Sequence, residues 1–324
     1  MSEQVLFVEK QKLKIDNFDL PRGVNSDQIQ IKSTCSLMST GTENIIYNGL
    51  YDLGTHWDNY AQFPFKPGYS LIGKVVSVGE DVRKFKIGDT VAARVNHSSD
   101  HIIEEKECVK VPESIDPYDA VWFGLAKIAF VGATVAKYKF GQKVIIIGAG
   151  PIGQMSILWA KAAGVRTVIV IDPEESRLDI AKMGGADICF SGSLVDVKEE
   201  ILGHTNNDGA DIIIDTTGNA AVFQSALELC KKFGKVVILG DTGSPTSQNL
   251  SSAVIQKGLN IIGAHDCHIQ TDEPYEIFFS MLKDHRLKVS HLNSHKFALS
   301  KGQDAYDLVN KDRGKTMGVL FHYN

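Results

Sequence analysis

KVIIIGAGPIGQMSILWAKAAGVRTVIVID, residues 143–172, passes from an apolar run through three glycines to a helical pattern, a second apolar run and an acid. Val144-Ile145-Ile146-Ile147 is β-branched without alternation, which predicts a strand covered on both faces. Gly148, Gly150 and Gly153 follow as G-x-G-x-x-G, and Ile152, Met155, Ile157, Leu158 and Ala162 then recur at helical spacing until Gly164. Thr167 to Ile171 reads as a second strand, ending on Asp172, 19 residues beyond Gly153. A glycine triplet in that setting is a dinucleotide fingerprint. Gly148 permits a tight turn, Gly150 lets the backbone approach a pyrophosphate, Gly153 lets helix and strand pack closely, and the helix N-terminus attracts the anion. Pro151 and Ile152, in the same loop, are candidate cofactor contacts. Asp172 is expected to accept hydrogen bonds from a ribose diol and to repel a 2′-phosphate, which favours NAD over NADP. The plainer alternative is that the glycines only pack a helix on a sheet and Asp172 caps the next helix.

On either side of this stretch the texture differs. Residues 1 to about 115 read as β-rich: Val5–Val8 and Gln28–Ile31 are short strands around a Pro21-Arg22-Gly23 turn, and Leu71 to Val91 is a run of strands parted by glycines. Asp116-Pro117 is a helix start, and helix is expected from there to Lys137, with Gly124 as a break. Beyond residue 143, strands expected at 187–190, 210–215, 235–240 and 259–263 alternate with helices such as Ala220 to Lys232. The fold class is therefore α/β, with a doubly wound parallel sheet of about six strands. Helices at 274–283 and 301–309 and a strand at 317–321 complete the tail.

At 324 residues, two domains are expected. A hydrophobic content of 43% and a charged content of 23% are those of a globular protein. A net charge of −5 gives no electrostatic footprint for nucleic acid or an anionic membrane. Met1 to Asn17 is charged throughout, unlike a leader, and no stretch reads as an uninterrupted membrane span. The cytoplasm is the expected compartment. The five cysteines are scattered without a C-x-x-C and are expected to be idle or buried thiols.

In its order of parts the chain resembles the medium-chain dehydrogenase/reductase superfamily. The carriers are G73-x-x-V-x-x-V-G79 with G88-D89-x-V91, the G148-A-G150-P-I-G153 loop, D172-P with R177-L, D215-x-T217-G218-N219, and S294-H295-K-F297. The resemblance implies a GroES-like β-barrel catalytic domain, residues 1–123 and 267–324, around a Rossmann NAD-binding domain, residues 124–266. It also implies a homodimer acting on a small-molecule substrate. The family's zinc-dependent alcohol dehydrogenases hold a catalytic metal with a cysteine before G-T-D, a histidine in G-H-E, and a third ligand where the helix enters the Rossmann domain. This chain has Ser39-Thr40-Gly41-Thr42-Glu43, Gly68-Tyr69-Ser70 and Phe123-Gly124 there, and no four-cysteine lobe between Val95 and Glu107. Hydroxyl and phenyl groups do not replace thiolate, imidazole and carboxylate on zinc, so no metal site is expected. The S-T-G-T-E motif and P-G-Y turn resemble a zinc-less branch containing bacteriochlorophyllide dehydrogenase-like proteins and sugar or secondary-metabolite relatives. That implies oxidation of a secondary alcohol, sugar- or cyclitol-like, or reduction of its ketone. NAD(P)H-dependent reduction of quinones or enones is the alternative, and a nucleotide-binding protein without catalysis is a third.

Hydride transfer from an alcohol needs a group to take the hydroxyl proton. From Ala120 to Ala136, Lys127 is the only charged residue, and an ammonium in such surroundings needs a partner or a function. The family arrangement turns this helix toward the nicotinamide. Tyr69, at a lost ligand position, is the expected acid/base, with Lys127 lowering its pKa and Thr42 bonding the reacting oxygen. The alternative is that Lys127 snorkels and Tyr69 only packs. Candidate substrate contacts are Thr40, Glu43, His56, Asp58 and His265. Glu43 has the alternatives of orienting Thr42 or forming an internal ion pair, and His56 and Asp58 that of an exposed loop. His265-Asp266-Cys267-His268 looks like a metal cluster, but adjacent residues at a strand end diverge. Arg177 is expected either over the adenine or paired with Glu174. Thr217 and Gly218 are expected at the cofactor edge of the sheet or in a plain turn. His97 and His101 are expected at the surface.

Overall fold

A computed structural model describes residues 1–323. The chain divides into two compact units, Met1–Gly124 with Tyr275–Asn324, and Leu125–Pro274. The tail leaves the second unit at Tyr275 rather than near residue 267, because Ile269 still packs against that unit's core.

The second unit is a six-stranded parallel sheet in the order Ile188–Ser191, Thr167–Asp172, Lys143–Ile147, Ala210–Asp215, Cys230–Ile238, Asn260–Gly263. This is the doubly wound order, which reverses beside Lys143–Ile147 and leaves a crevice at the carboxyl ends of the strands. The missing alternation in that strand has its reason in the two cores. Val144 and Ile146 sit in the core on one face, Ile145 and Ile147 in the core on the other. The helix expected to reach Lys232 stops at Leu229, and Cys230 already belongs to the next strand, pairing with Ala210. Phe233, with φ of 60° and an exposed ring, lies at the irregularity that follows.

In the first unit, Gln28–Leu37 is the spine of a seven-stranded sheet. One edge takes Asp100–Glu104 along its first half and Gly318–His322 along its second; the other edge takes Leu71–Val78. Asn293–Ala298 lies parallel to Gly318–His322, so the C-terminal tail closes the sheet of the N-terminal segment. Ser2–Glu9 and Lys12–Phe18 form an antiparallel hairpin, the second strand of which was not expected. Phe7, Tyr47, Trp57, Tyr306 and Phe321 fill one core, and Ile29, Ile31, Leu71, Val75 and Val91 another.

The helix start at Asp116 forms as expected: Asp116 Oδ1 accepts from Tyr118 N at 2.8 Å, with Pro117 at the first helical position. The interruption falls at Val121-Trp122, between Pro117–Ala120 and Phe123–Ala136. Gly124 lies inside the second helix, where its N–H reaches Ser70 Oγ at 3.3 Å. By length and hydropathy alone the run Pro117–Ala136 is apolar enough to cross a membrane, contrary to expectation. Of its apolar window 61% is buried in protein, as in a core helix.

Candidate functional site

At the carboxyl edge of the parallel sheet the glycine loop has the geometry that its residues require. Gly148 takes φ of 91°, and a Cβ on Gly153 would stand 1.9 Å from Gly148 O, so only glycine lets the helix start against the turn. Gly150, without a side chain, caps Pro151–Ala162 and leaves the opening N–H groups of a 12-residue helix to an anion. Asp172 ends its strand almost buried; Oδ2 accepts from Ala149 N at 2.7 Å and Oδ1 from Glu174 N at 2.9 Å. The acid therefore ties the glycine loop to the second strand, and carboxylate oxygens retain lone pairs for a ribose. The Arg177 guanidinium lies beside this acid and the glycine loop. Nη1 stands 4.0 Å from Asp172 Oδ2 and beside Gly150. Gln154 Nε2 donates to Ala149 O at 2.9 Å and to Arg177 O at 3.0 Å, a bracing contact with no signal in the sequence. Thr217 is occupied in its own turn: its N and Oγ1 donate to Asp215 Oδ1 at 2.9 and 2.7 Å, and Gly218 N also reaches Asp215. Burial pushes the Asp215 carboxyl up. The opening N–H groups of the helix and the Asp172 carboxylate are the groups here that could hold a dinucleotide.

Lys127 has a partner. Nζ lies 3.2 Å from Asp266 Oδ1, with side chains 11% and 24% exposed. Asp266 follows the last strand of the sheet, so the ammonium sits at the same carboxyl edge as the glycine loop. The metal-cluster look of His265 to His268 has a different meaning: His265 Nδ1 accepts from Cys267 N at 3.2 Å, and His268 Nδ1 lies 2.8 Å from His265 O. The two imidazoles staple the turn that presents Asp266. His265 is exposed, with one ring nitrogen committed to that turn.

In the first unit, three hydroxyls meet where the resemblance puts metal ligands in other enzymes. Tyr69 OH donates to Ser39 Oγ at 2.6 Å, and Thr42 also hydrogen-bonds the phenol. The Arg94 guanidinium stands 4.8 Å from the centre of the Tyr69 ring. Burial pushes the Tyr69 phenol up to about 12, outweighing the Ser39 hydrogen bond and the Arg94 charge. The direction is upward rather than the lowered pKa expected for it, and the charges acting on it within this unit are Arg94 and Glu43. Thr40 is 4% exposed. Thr40, Tyr69 and Phe123 do not make a zinc donor set, and among the described residues no three His, Cys, Asp or Glu side chains are grouped to hold a metal.

Glu43 is corrected from substrate contact to internal anchor. Oε1 accepts from Ser39 N at 2.7 Å, while Oε2 pairs with His97 Nε2 at 3.1 Å and accepts from Tyr306 OH. His97, expected at the surface, is fully buried, and its Nδ1 meets Ser36 Oγ at 2.7 Å, which in turn meets Tyr323 OH. This network fixes the loop that carries Ser39 under the phenol. His101 is also buried, its pKa pushed down to about 4 by that burial. His56 is exposed at the start of the short helix His56–Tyr60, its ring on Trp57 at 5.3 Å, and Asp58 Oδ2 accepts from Gly54 N at 2.9 Å. Both residues close a turn around the buried Trp57.

The chain matches two family models, "Alcohol dehydrogenase GroES-like domain" over residues 26–118 and "Zinc-binding dehydrogenase" over residues 151–283. It is 31% identical to the D-guloside 3-dehydrogenase of Escherichia coli (strain K12) over 225 residues, spanning 64% of this chain and 64% of that relative's length. It is 29% identical to the L-threonine 3-dehydrogenase of Marinomonas sp. (strain MWYL1) over 93% of each chain. An alcohol dehydrogenase from Escherichia coli CFT073, solved with NADH, shares its fold at a TM-score of 0.85 and 21% identity, covering 99% of both chains.

Proposed function

We propose, on the premise that this chain belongs to the medium-chain dehydrogenase/reductase superfamily, that it interconverts a secondary alcohol and its ketone by hydride transfer with NAD, without zinc. The substrate class is polyhydroxylated and sugar-like. D-guloside 3-dehydrogenase and sorbitol dehydrogenase are among the relatives, and the three hydroxyls of Ser39, Thr42 and Tyr69 suit a ligand rich in hydroxyls. The zinc in one family model's name belongs to a match over residues 151–283, which contains none of Thr40, Tyr69 and Phe123. The enzyme works in the cytoplasm as a homodimer.

One observation carries the reading: a phenol at about 12, 2.6 Å from a serine hydroxyl, stands where zinc enzymes keep a histidine. At neutral pH such a phenol is protonated and is a donor. In ketone reduction Tyr69 O–H gives its proton to the carbonyl oxygen, a stronger base than phenolate once it has become an alkoxide. Ser39 holds the phenol's orientation, and Thr42 hydrogen-bonds it beside the carbonyl oxygen whose developing charge it meets. The glycine loop Gly148–Gly153 and Asp172 would hold the nicotinamide dinucleotide, which would supply hydride exchange with the carbonyl carbon. In alcohol oxidation the hydroxyl proton passes to the Tyr69 oxygen, which requires phenolate and so rises with pH. Asp172 sets the preference for NAD over NADP through the ribose diol.

The test uses the purified full chain with methyl D-guloside, sorbitol and L-threonine, each with NAD and NADP, and a metal analysis of the active protein. NADH formation from a polyol by metal-free protein supports the reading. Stoichiometric zinc lost together with activity overturns its zinc independence. Strong preference for NADP(H) with turnover of a quinone or enone replaces it with the reductase reading.

A further inference from the structure

In the first unit a cavity of about 420 Å³ lies between the hairpin Ser2–Glu9 and Lys12–Phe18, the turn through Pro21-Arg22-Gly23, and the chain from Asn96 to Ile102. Its wall includes none of Ser39, Thr42, Tyr69 and Arg94, so it is a second site and not an arm of the phenol cluster. Two side chains on that wall each keep a buried polar atom without a hydrogen-bond partner, Asn96 Nδ2 and His101 Nε2, and His101 is 8% exposed. The His101 ring hydrogen-bonds the Asn96 backbone, while burial first and the Lys66 charge with it hold the ring neutral against Asp100. A neutral imidazole that gives its one proton to a carbonyl offers a lone pair at its other nitrogen, here Nε2, and the Asn96 amide offers an N–H. An acceptor and a donor joined in this way are the complement of a hydroxyl, which gives one hydrogen bond and takes another.

Water matches that pattern as well, but the rest of the wall asks for more than water. Phe18, Leu20, Pro21 and Ile102 make an apolar side, suited to the C–H face of a carbon ring or chain. Arg22 and Lys66 bring two cationic side chains to the same wall, against the single carboxylate of Asp100, one oxygen of which already accepts from Ser99 Oγ at 2.7 Å. We propose that this cavity binds a small hydroxylated anion, a sugar acid or sugar phosphate, with a ligand hydroxyl between Asn96 Nδ2 and His101 Nε2 and the acid group on Arg22 and Lys66. Both cationic residues are exposed, so the acid group stays at the rim while the hydroxyl goes to the buried pair. A buried donor and acceptor left unmatched are costly, and a ligand that matches both removes that cost while the rim adds charge-assisted hydrogen bonds. The site stands apart from the alcohol–ketone reading and holds whether or not the chain oxidises a sugar.

The experiment titrates the full-length protein, without nucleotide, with gluconate, glucose 6-phosphate, glucose and inorganic phosphate by isothermal titration calorimetry. At least one of the two hydroxylated anions should bind, with glucose and free phosphate each at least about tenfold weaker; the anion that binds names the acid group. The double variant Arg22→Ala, Lys66→Ala should weaken that binding at least about tenfold, His101→Phe likewise, and Tyr69→Phe should leave it within about twofold. In wild type the bound anion should slow acetylation of Lys66 by acetic anhydride at least about threefold once the site is occupied, followed by mass spectrometry. No binding of either anion at millimolar concentration overturns the proposal. Free phosphate as tight as the better anion overturns the hydroxyl contact, and glucose as tight overturns the charged one. Binding lost in Y69F but kept in R22A/K66A puts the ligand at the phenol and overturns the site. If a variant fails to fold, as judged by circular dichroism, the Lys66 measurement on wild type carries the test: a Lys66 left unprotected under saturating anion overturns the proposal.

Discussion

Replacing Tyr69 with phenylalanine removes one oxygen and separates a packing residue from a proton donor. As packing, the phenol contributes a hydrogen bond to Ser39 Oγ at 2.6 Å. A neutral bond of this kind contributes about 1 kcal/mol to stability, and its loss leaves the ring, the Arg94 contact and the surrounding core in place. As a donor, on the proposed reading, the same hydroxyl would protonate an oxygen that gains negative charge during ketone reduction. General-acid catalysis of this kind contributes on the order of 10²-fold or more, about 2.7 kcal/mol of barrier. The expected result is a loss of roughly 100-fold in kcat with NADH affinity unchanged and a stability loss of about 1 kcal/mol. The assay is NADH absorbance in both directions across pH, with NADH affinity from protein fluorescence quenching.

The pH dependence sharpens the test. With the phenol up to about 12, wild-type reduction stays flat through the neutral range, because the donor is protonated throughout. Oxidation needs the phenolate, whose fraction grows about tenfold per pH unit below the pKa. The oxidation rate should climb into the alkaline range in wild type and lose that slope in Y69F. Near-wild-type turnover in Y69F refutes the assignment of Tyr69. So does an oxidation limb that levels near neutrality and persists in the variant, since another base would then be responsible.

Gly153→Ala would place a Cβ 1.9 Å from Gly148 O, so NADH binding measured by fluorescence should be lost or weakened at least 100-fold, about 2.7 kcal/mol; unchanged binding would sink the pyrophosphate assignment of the glycine loop. Asp172→Ala removes the carboxylate that would repel a 2′-phosphate, so the ratio of NADP to NAD turnover should rise roughly tenfold or more; a ratio that stays put in the titration argues against ribose recognition by this edge. His101 is held neutral by burial, with the Lys66 and His97 charges lowering its pKa further against Asp100, to about 4 from 6.5. The unfolded chain binds the proton first on acidification, so stability is full above pH 6.5 and falls by about 1.4 kcal/mol per unit toward pH 4. Urea unfolding of His101→Gln should lack about 3 kcal/mol of that pH dependence.

The doubly wound unit was legible because its signals are local. An unalternating Val144–Ile147, three glycines at fixed spacing and an acid after the next strand each report on a neighbourhood of a few residues, and the two cores that flank Lys143–Ile147 supply the physical reason for the pattern. The hairpin strand Lys12–Phe18 was missed although it alternates: Leu13 and Ile15 turn inward to the core while Lys12, Lys14 and Asp16 stay out. Those charges made the segment look like a solvated end. At Cys230 the helical spacing of Ala220–Leu229 ran on in the sequence, and the stop is set by sheet pairing with Ala210, which no local propensity encodes.

The candidate site divides along the same line between local and distant causes. A lone lysine among apolar residues announces that a partner exists, because an uncompensated buried charge is costly; the identity of that partner, Asp266, depends on the sheet bringing a distant turn alongside. Glu43, His97 and Tyr306 look in sequence like a motif residue, a loop histidine and a helix tyrosine, and only the fold makes them one buried network beneath Ser39. Tyr69 shows which effect wins when two compete. The sequence argument set a cation against a phenol and expected a lowered pKa, but removal of water around the hydroxyl outweighs the nearby Arg94 charge and the Ser39 bond together. A phenol tuned in that direction is a proton donor first, so the site is better suited, residue for residue, to delivering a proton to a ketone at neutral pH than to removing one from an alcohol.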